Sequence, residues 1–566
     1  MSRKILASLD SFKEIIEEES LYVDKTSLIS ELLEFGDKLV AITRPRRFGK
    51  SLNMSMLSYF FDINNAVENR KLFKGLDIEK SPYFKEQGQY PVINLSFKDF
   101  KKGSFKDCYS KIVKLIIAEY DRHSYLNDSS KLSDVEKANF KKILAGKGDQ
   151  SDYESSLADL SKYLSKHYGK KVIILVDEYD TPVIEGELNG YFEEASGFMQ
   201  NFLGEALKGN ESIFKGVVTG ITRLQGAGIF SGVNSVDICT ILDKEYKDKF
   251  GFTEKEVKEL LKEYGIEDKE EGVREYYNGY NIQGEVIYNP YSVVKFLKKR
   301  KFGNFWLSSS SNDLAKKKVN ELLEMSSSDV IRKKIEDLMQ GKSVRTEIEE
   351  VLKISGSMDS GDILNLLLYS GYLKYNNVEE GSESLEFADL SIPNVEIKGI
   401  YKKTINEWMR SKYTERELED LNKFLRSVCE GSEGEIKERL ENYLNRRSIL
   451  DGEKVLEMGY HNFLFGLLQG LEGKYLLDSN RESGSGRCDI MLTPIKGKGD
   501  NKERSGVVIE LKVGDKDKLK EASKGAIKQI EEKKYYRALE NQGIRKVRLV
   551  GIAFNGKEAE VTLKEL

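Results

Sequence analysis

Along the first part of the chain, short apolar runs alternate with longer stretches of helical periodicity. The runs "KLVAI" (38–42), "YPVINLSF" (90–97), "KKVIILVDEYD" (170–180) and "IFKGVVTGI" (213–221) are strand-like, with helix-like segments between them. Strands apolar on both faces and separated by helices belong to a parallel sheet covered on each side. Residues 1–245 therefore predict an α/β nucleotide-binding layout. From 246 to 445 the pattern becomes mostly helical, around the aromatic-rich segments "YYNGYNIQGEVIYNPYSVVKFL" and "LLLYSGYLKY", and reads as a helical lid and connector. Over 446–566, "KVLEMGYHNFLFGLLQGL" is followed by "KYLLDSN", "RCDIMLTPI", "GVVIELKV", a long helical stretch near 517–540 and "KVRLVGIAF". That order of helix, three strands, helix and strand predicts a compact α/β domain.

Composition narrows the picture only a little. A chain of 566 residues exceeds what one hydrophobic core supports. With 39% hydrophobic residues, 33% charged residues and only seven prolines it reads as soluble and globular. The opening "MSRKILASLDSFKEIIEEES" carries acids where a secretion signal needs an apolar core, and no run approaches eighteen apolar residues, so a cytoplasmic protein without membrane contact is expected. Four cysteines far apart and three histidines argue against a structural zinc site or a disulfide framework. A net charge of −4 gives no overall attraction for nucleic acid, so such a partner would be gripped by a local basic patch.

The first chemical constellation is "RPRRFGKSL" (44–52), which follows a strand-like run and opens a helical one. A phosphate loop presents backbone N–H groups at a helix N-terminus, a lysine for the β/γ oxygens and a Ser/Thr hydroxyl for Mg²⁺. Gly49, Lys50 and Ser51 supply the second half of that pattern. The first glycine is replaced by Arg44, and Pro45 removes one donor and pushes Arg44 towards extended backbone. Since the donors closest to the phosphates survive, altered nucleotide binding is expected rather than none. Arg44, Arg46 and Arg47 flank Lys50 and read as phosphate contacts, a solvated basic turn being the plainer alternative. In "VIILVDEYD", Asp177 and Glu178 end an apolar strand, where one carboxylate can hold Mg²⁺ and a second can orient an attacking water. Thr219, Thr222 and Arg223, just past another strand, either sense a γ-phosphate or merely cap a loop.

The second constellation lies in "RCDIMLTP" and "GVVIELKVG": Asp489 in one run, Glu510 and Lys512 on one face of the next. Two carboxylates on neighbouring strands can hold one or two Mg²⁺ ions, and a lysine beside them can orient water or stabilise a charged transition state. Glu-x-Lys alone means little in so charged a chain; Glu396-Ile397-Lys398 repeats it without that context. The uninterrupted "VVI" and the nearby Asp489 distinguish 510–512. Glu482 approaches the same metals or is a turn residue, Glu457 is a weaker candidate on the preceding helix, and Gln529, Lys533 and Tyr535 are candidates to touch a nucleic-acid backbone, a solvated face explaining Lys533 equally well.

"YVDKTSLISELL", "RPRRFGKSLNMSMLSYFF", "ILVDEYDTPV", "GITR" and "YNGYNI…VIYNPYSVVKFL" resemble the AAA-ATPase-like family, whose members often end in a PD-(D/E)XK nuclease-superfamily domain. "ESGSGRCDI", "VVIELKV" and "AIKQIEEKKYY" resemble that domain. The resemblance implies an α/β protein with an N-terminal P-loop NTPase-like parallel sheet, a mostly helical middle and a C-terminal restriction-endonuclease-like α/β domain. It implies an ATP and Mg²⁺ site at Lys50, Ser51 and Asp177, with Glu178 as the hydrolytic base; the reading of the residues themselves adds Arg46, Arg47, Gly49, Thr219 and Arg223 as expected nucleotide contacts. It further implies Asp489, Glu510 and Lys512 as a nuclease triad, with Glu482 upstream. The expectation is an ATP-regulated, Mg²⁺-dependent or Mn²⁺-dependent nuclease acting on nucleic acid, DNA before RNA, and compatible with a homo-oligomer. The alternative is a nucleotide-switched module that binds nucleic acid or protein through an inactive nuclease-like domain.

Overall fold

The computed structural model describes residues 3–5, 10–98, 100, 103–224, 236–306, 313–324, 329–339, 341–356, 358–380, 386–412, 415–445, 464, 468, 474–483, 486–495 and 504–566. They fall into two compact units, Met1–Ile405 and Asn406–Leu566.

The first unit is organised by a five-stranded sheet: β1 (Leu39–Thr43), β2 (Val92–Ser96), β3 (Val172–Asp177), β4 (Ile213–Gly220) and β5 (Val236–Cys239). The order is β2-β3-β4-β1-β5, and every pairing is parallel. Parallel neighbours need crossover helices, which cover both faces, so the strand sequences must be apolar throughout. Every residue of β1 and β3 is indeed buried. Helix α1 (Lys50–Phe61) leaves β1, and the long helix Gln150–Tyr168 precedes β3, its start fixed by a capping box between Asp149 and Asp152. Strand β5, "VDIC", carries too little apolar length to be legible from its sequence.

The middle of the chain is helical, as its periodicity predicts, but it also holds small sheets. Phe252–Thr253, Tyr280–Ile282 and Glu285–Tyr288 form one, and Val344–Glu347, Lys374–Glu380 and Glu386–Ser391 form another. Helices Glu254–Glu263 and Pro290–Lys299 close a core of Val257, Leu260, Leu261, Tyr277, Val293 and Phe296 against the first of these.

The second unit has β6 (Tyr475–Ser483), β7 (Gly486–Pro494), β8 (Gly506–Val513), β9 (Val547–Asn555) and β10 (Glu558–Glu565), side by side in chain order. Only β8 and β9 are parallel, and α2 (Leu519–Lys533) makes the crossover between them. Helices Glu415–Glu430 and Glu433–Asn445 contribute Phe424, Val428, Ile436 and Leu440 to a core shared with Ile490, Ile509 and Ile552, and α2 contributes Ile527 and Ile530 to a second core. The sequence reading predicts four of these strands and misses β10. Among the described residues no helix is long and apolar enough to cross a membrane.

One buried acid links two segments of the first unit. Glu396, in the first turn of helix Val395–Lys412, is 1% exposed; it accepts from Ser292 Oγ and from the Trp306 backbone N–H, each at 2.7 Å. Burial pushes its carboxyl up to about 7, against the hydrogen bonds that favour the ionised form. Between the ordinary carboxyl range and about 7 the folded chain retains a proton that the unfolded chain has released. This contribution to stability is therefore complete in acid and lost as pH rises through about 7. Urea unfolding followed through Trp306 emission in a Trp408→Phe background checks it. The stability of the parent relative to Glu396→Gln is expected to fall from about pH 5 to about pH 8, and a gap that does not change with pH counts against the assignment.

Candidate nucleotide and metal sites

The loop between β1 and α1 is held in place from outside itself. Arg44 is fully buried, and its guanidinium donates to four carbonyls: Thr43 at 2.8 Å, Cys239 at 3.1 Å, Thr240 at 2.6 Å and Glu245 at 3.1 Å. Burial pushes its pKa down to about 10, so the group stays charged at neutral pH. The reading of Arg44 as a phosphate contact is thus corrected: it points into the carbonyls that follow β5 and stakes the loop to the sheet. Pro45 rests on Gly371, whose left-handed backbone (φ +85°) leaves no room for a side chain; a Cβ there would lie 2.8 Å from Pro45 Cβ and 3.0 Å from the Trp306 ring. Phe48 meets Tyr280 edge-on at 4.9 Å, and its carbonyl accepts from Gly251 N–H at 2.9 Å. Arg47 lies over the Tyr291 ring, 4.4 Å from its centre.

Gly49 caps α1 with φ +85°, the left-handed conformation that glycine adopts without cost, and so turns the helix's first N–H groups toward the loop. The Lys50 ammonium is buried and donates to the carbonyls of Arg44 (2.9 Å) and Pro45 (3.0 Å). Burial lowers its pKa, while Glu178, Asp180 and Asp177 oppose that shift. Ser51 Oγ donates to Asp177 Oδ2 at 2.6 Å, and Thr219 Oγ1 donates to Asp177 Oδ1 at 2.6 Å. A hydroxyl and a carboxylate in contact at a phosphate loop form the hard-oxygen pair that suits Mg²⁺, which keeps water and phosphate for its remaining positions. Among the described residues no three His, Cys, Asp or Glu side chains gather as an all-protein metal cage.

Glu178 follows with φ +54°, a left-handed backbone that costs a side-chain-bearing residue on the order of 1–2 kcal/mol. Burial raises its pKa and the Lys50 charge opposes the rise. The turn behind it is pinned to β4: Tyr179 OH donates to the Thr222 carbonyl at 2.6 Å, and Asp180 Oδ2 accepts from Ile221 N–H at 2.7 Å.

A cavity of about 440 Å³ opens over this loop, within the range of small-ligand sites. Arg46, Arg47, Gly49, Lys50, Ser51 and Glu178 line it. Thr219 sits below, acting through Asp177, while Arg223 lies outside the lining, in a short strand paired with Val351 and 4.0 Å from Glu350. Sequence patterns single out none of Lys25, Lys98, Lys249 or Tyr291, which also line the cavity. They come from four remote segments that no spacing rule connects. Lys25 pairs with Glu256 at 2.7 Å, and Lys249 pairs with Glu31 at 2.7 Å. Apolar side chains line it as well, among them Leu21, Val23, Phe252 and Val294.

In the second unit, β7 and β8 bring Asp489 and Glu510 together. Asp489 Oδ2 accepts from Leu511 N–H at 2.7 Å, and Asp489 N–H lies 3.4 Å from Glu510 Oε2. Lys512 Nζ is 3.5 Å from Glu510 Oε1. Glu510 is buried and pushed up to about 7, first by burial and then by the Asp489 charge, with Lys512 opposing. Two acids placed so that one resists ionisation make a donor set that a divalent cation would satisfy. Gln529 on α2 donates to Glu510 Oε1 and lies 3.5 Å from Tyr535 OH. Gln529 and the buried Tyr535 thus face the carboxylate, whereas Lys533 is exposed. The backbone of Glu482 pairs with Arg487 across β6 and β7; its side chain, and all of Glu457, lie outside the described residues.

Residues 7–230 match the family model described as Predicted AAA-ATPase, and residues 455–563 match that of the PD-(D/E)XK nuclease superfamily. The two matches give the chain an AAA-ATPase-like segment followed by a PD-(D/E)XK nuclease-superfamily domain. Among individual proteins it is similar to an uncharacterized protein in the vnfD 5' region of Azotobacter chroococcum mcd 1, with 25% identity over 422 residues, 73% of this chain and 71% of the relative. No solved structure matches it.

Restoring the missing glycine should damage the loop. Arg44→Gly strips the donor from four buried carbonyl contacts and is expected to cost about 3 kcal/mol in thermal or denaturant unfolding, with no gain in nucleotide affinity. Arg44→Lys should recover less than half of that loss, because one ammonium cannot span the guanidinium's contacts. An Arg44→Gly protein that is as stable as the parent and binds nucleotide more tightly would overturn the tether.

Proposed function

We propose that this chain is an ATP-regulated, metal-dependent nuclease. The observation that carries the reading is the half-buried Asp489 beside the buried Glu510 on adjacent strands, with Lys512 3.5 Å from the Glu510 carboxyl. A scaffold has no use for a buried acid held so close to a second carboxylate that it resists ionisation.

At the first site, Lys50, Arg46 and the N–H groups opening α1 would meet the phosphates of ATP, Ser51 and Asp177 would hold Mg²⁺, and Glu178 would orient the attacking water as general base. Thr219 keeps the Asp177 carboxylate aimed, and the apolar side chains of Leu21, Val23, Phe252 and Val294 suit a nucleobase. At the second site, Asp489 and Glu510 would hold Mg²⁺ or Mn²⁺, with Glu482 as a further donor. A divalent ion bound there supplies Lewis acidity and lowers the pKa of water. Lys512 stabilises the charge that builds on the scissile phosphate, and Gln529 fixes Glu510 in its rotamer. The partner is nucleic acid, DNA before RNA, in a cytoplasmic setting and with a homo-oligomer compatible.

The test is cleavage of plasmid DNA, single-stranded DNA and RNA with Mg²⁺ or Mn²⁺, with and without ATP. Asp489→Ala and Glu510→Gln are expected to lose on the order of 100-fold in cutting, and Lys50→Ala to keep cutting but lose its response to ATP. A parent protein that cuts no substrate under any of these conditions refutes the nuclease. The second reading then leads: Lys50 already satisfied by its own loop carbonyls favours a nucleotide switch that binds a partner with little turnover.

A further inference from the structure

Strand β2 runs on the far side of β3 from β4 and β1. Its end is pinned beside the candidate metal carboxylate: Ser96 Oγ lies 3.4 Å from Asp177 Oδ2, and Phe97 N–H donates to the Asp177 carbonyl at 2.9 Å. The next residue, Lys98, turns into the cavity that Arg46, Lys50, Ser51 and Glu178 line, and there its ammonium pairs with the Asp10 carboxylate. Both partners of that pair are substantially exposed, at 41% and 54%. An exposed ion pair contributes only about 0–1 kcal/mol, so a more highly charged anion displaces Asp10 at little cost.

The strand order gives this lysine a direction. A polyphosphate seated on the opening N–H groups of α1, beyond β1, and running past Asp177 at the end of β3 would come to the β2 side with its last phosphoryl group. A diphosphate on the same path would stop short of it. We propose that Lys98 recognises the terminal phosphate, exchanging Asp10 for it, and so makes the cavity selective for nucleoside triphosphate over diphosphate. This inference rests on the nucleotide reading of the cavity and adds to it a residue outside the phosphate-loop motif.

The measurement is binding of ADP and of a non-hydrolysable ATP analogue, each with Mg²⁺, to the full chain by calorimetry. Lys98→Ala is expected to weaken the triphosphate analogue roughly tenfold, the loss of one charge-assisted contact, and to leave ADP within about twofold. Lys98→Arg should retain the preference, and Asp10→Asn should tighten the triphosphate alone by removing its competitor. Lys98→Ala binding both nucleotides as the parent does, or losing both equally, overturns the inference while leaving the cavity a nucleotide site. A parent protein that binds neither nucleotide overturns the nucleotide reading and the role of Lys98 with it.

Discussion

The constraint on which the first unit depends is the burial of a single guanidinium. Arg44 stands where a phosphate loop ordinarily has its first glycine, and a charged group of that size inside a protein is costly unless its donors are satisfied. Four carbonyls accept from its two terminal nitrogens, three of them from Cys239, Thr240 and Glu245 at and beyond the end of β5, while Nε finds no partner among the described residues. The arrangement fixes the beginning of the loop to the edge of the sheet. It also leaves the carbonyls of Arg44 and Pro45 turned toward Lys50, so the cation that would meet phosphate waits on its own backbone. Freedom that a glycine would supply at this point is traded for position.

The two sites share a second physical theme, the buried carboxylate kept in order by neutral donors. Asp177 is held by the hydroxyls of Ser51 and Thr219, and Glu510 by the amide of Gln529. Such donors fix rotamers without neutralising charge, which leaves the field of each acid available to a cation. Lysines stand nearby in both cases: Lys50 opposes the upward push that burial gives Glu178, and Lys512 opposes the one that burial gives Glu510.

Sheet and helix placement in the first unit was largely legible because parallel strands must be apolar on both faces, and four such runs stand out. The placement of "GKS" at a helix start and of "VDEYD" at a strand end was legible for a related reason: the apolar runs and the periodicity beside them mark those boundaries. Arg44 was not legible, since nothing in "RPRR" tells which arginine is buried and its partners are carbonyls that carry no side-chain signature. The alternation "EAEVTLKE" in β10 has its apolar positions separated by charges and reads as a tail, although it closes the second sheet. Glu396, in a tripeptide that looks empty of context, proves to be a buried link between Ser292 and Trp306. Gln529 illustrates the reverse error, because periodicity places it on a helix but not toward an acid two elements away.

The contacts that support the phosphate loop come from beyond the segment that carries its motifs. Phe48 leans on Gly251 and Tyr280, Arg47 on Tyr291, and Pro45 on Gly371, all of them past residue 230, where the ATPase-family match ends. A fragment cut at that limit would keep every signature residue and lose the surfaces that shape them, with Arg44 stripped of its carbonyls at 239, 240 and 245. The stretch that defines the family by comparison is therefore shorter than the stretch that can fold as its working part, and a useful truncation must be chosen by what packs on the loop.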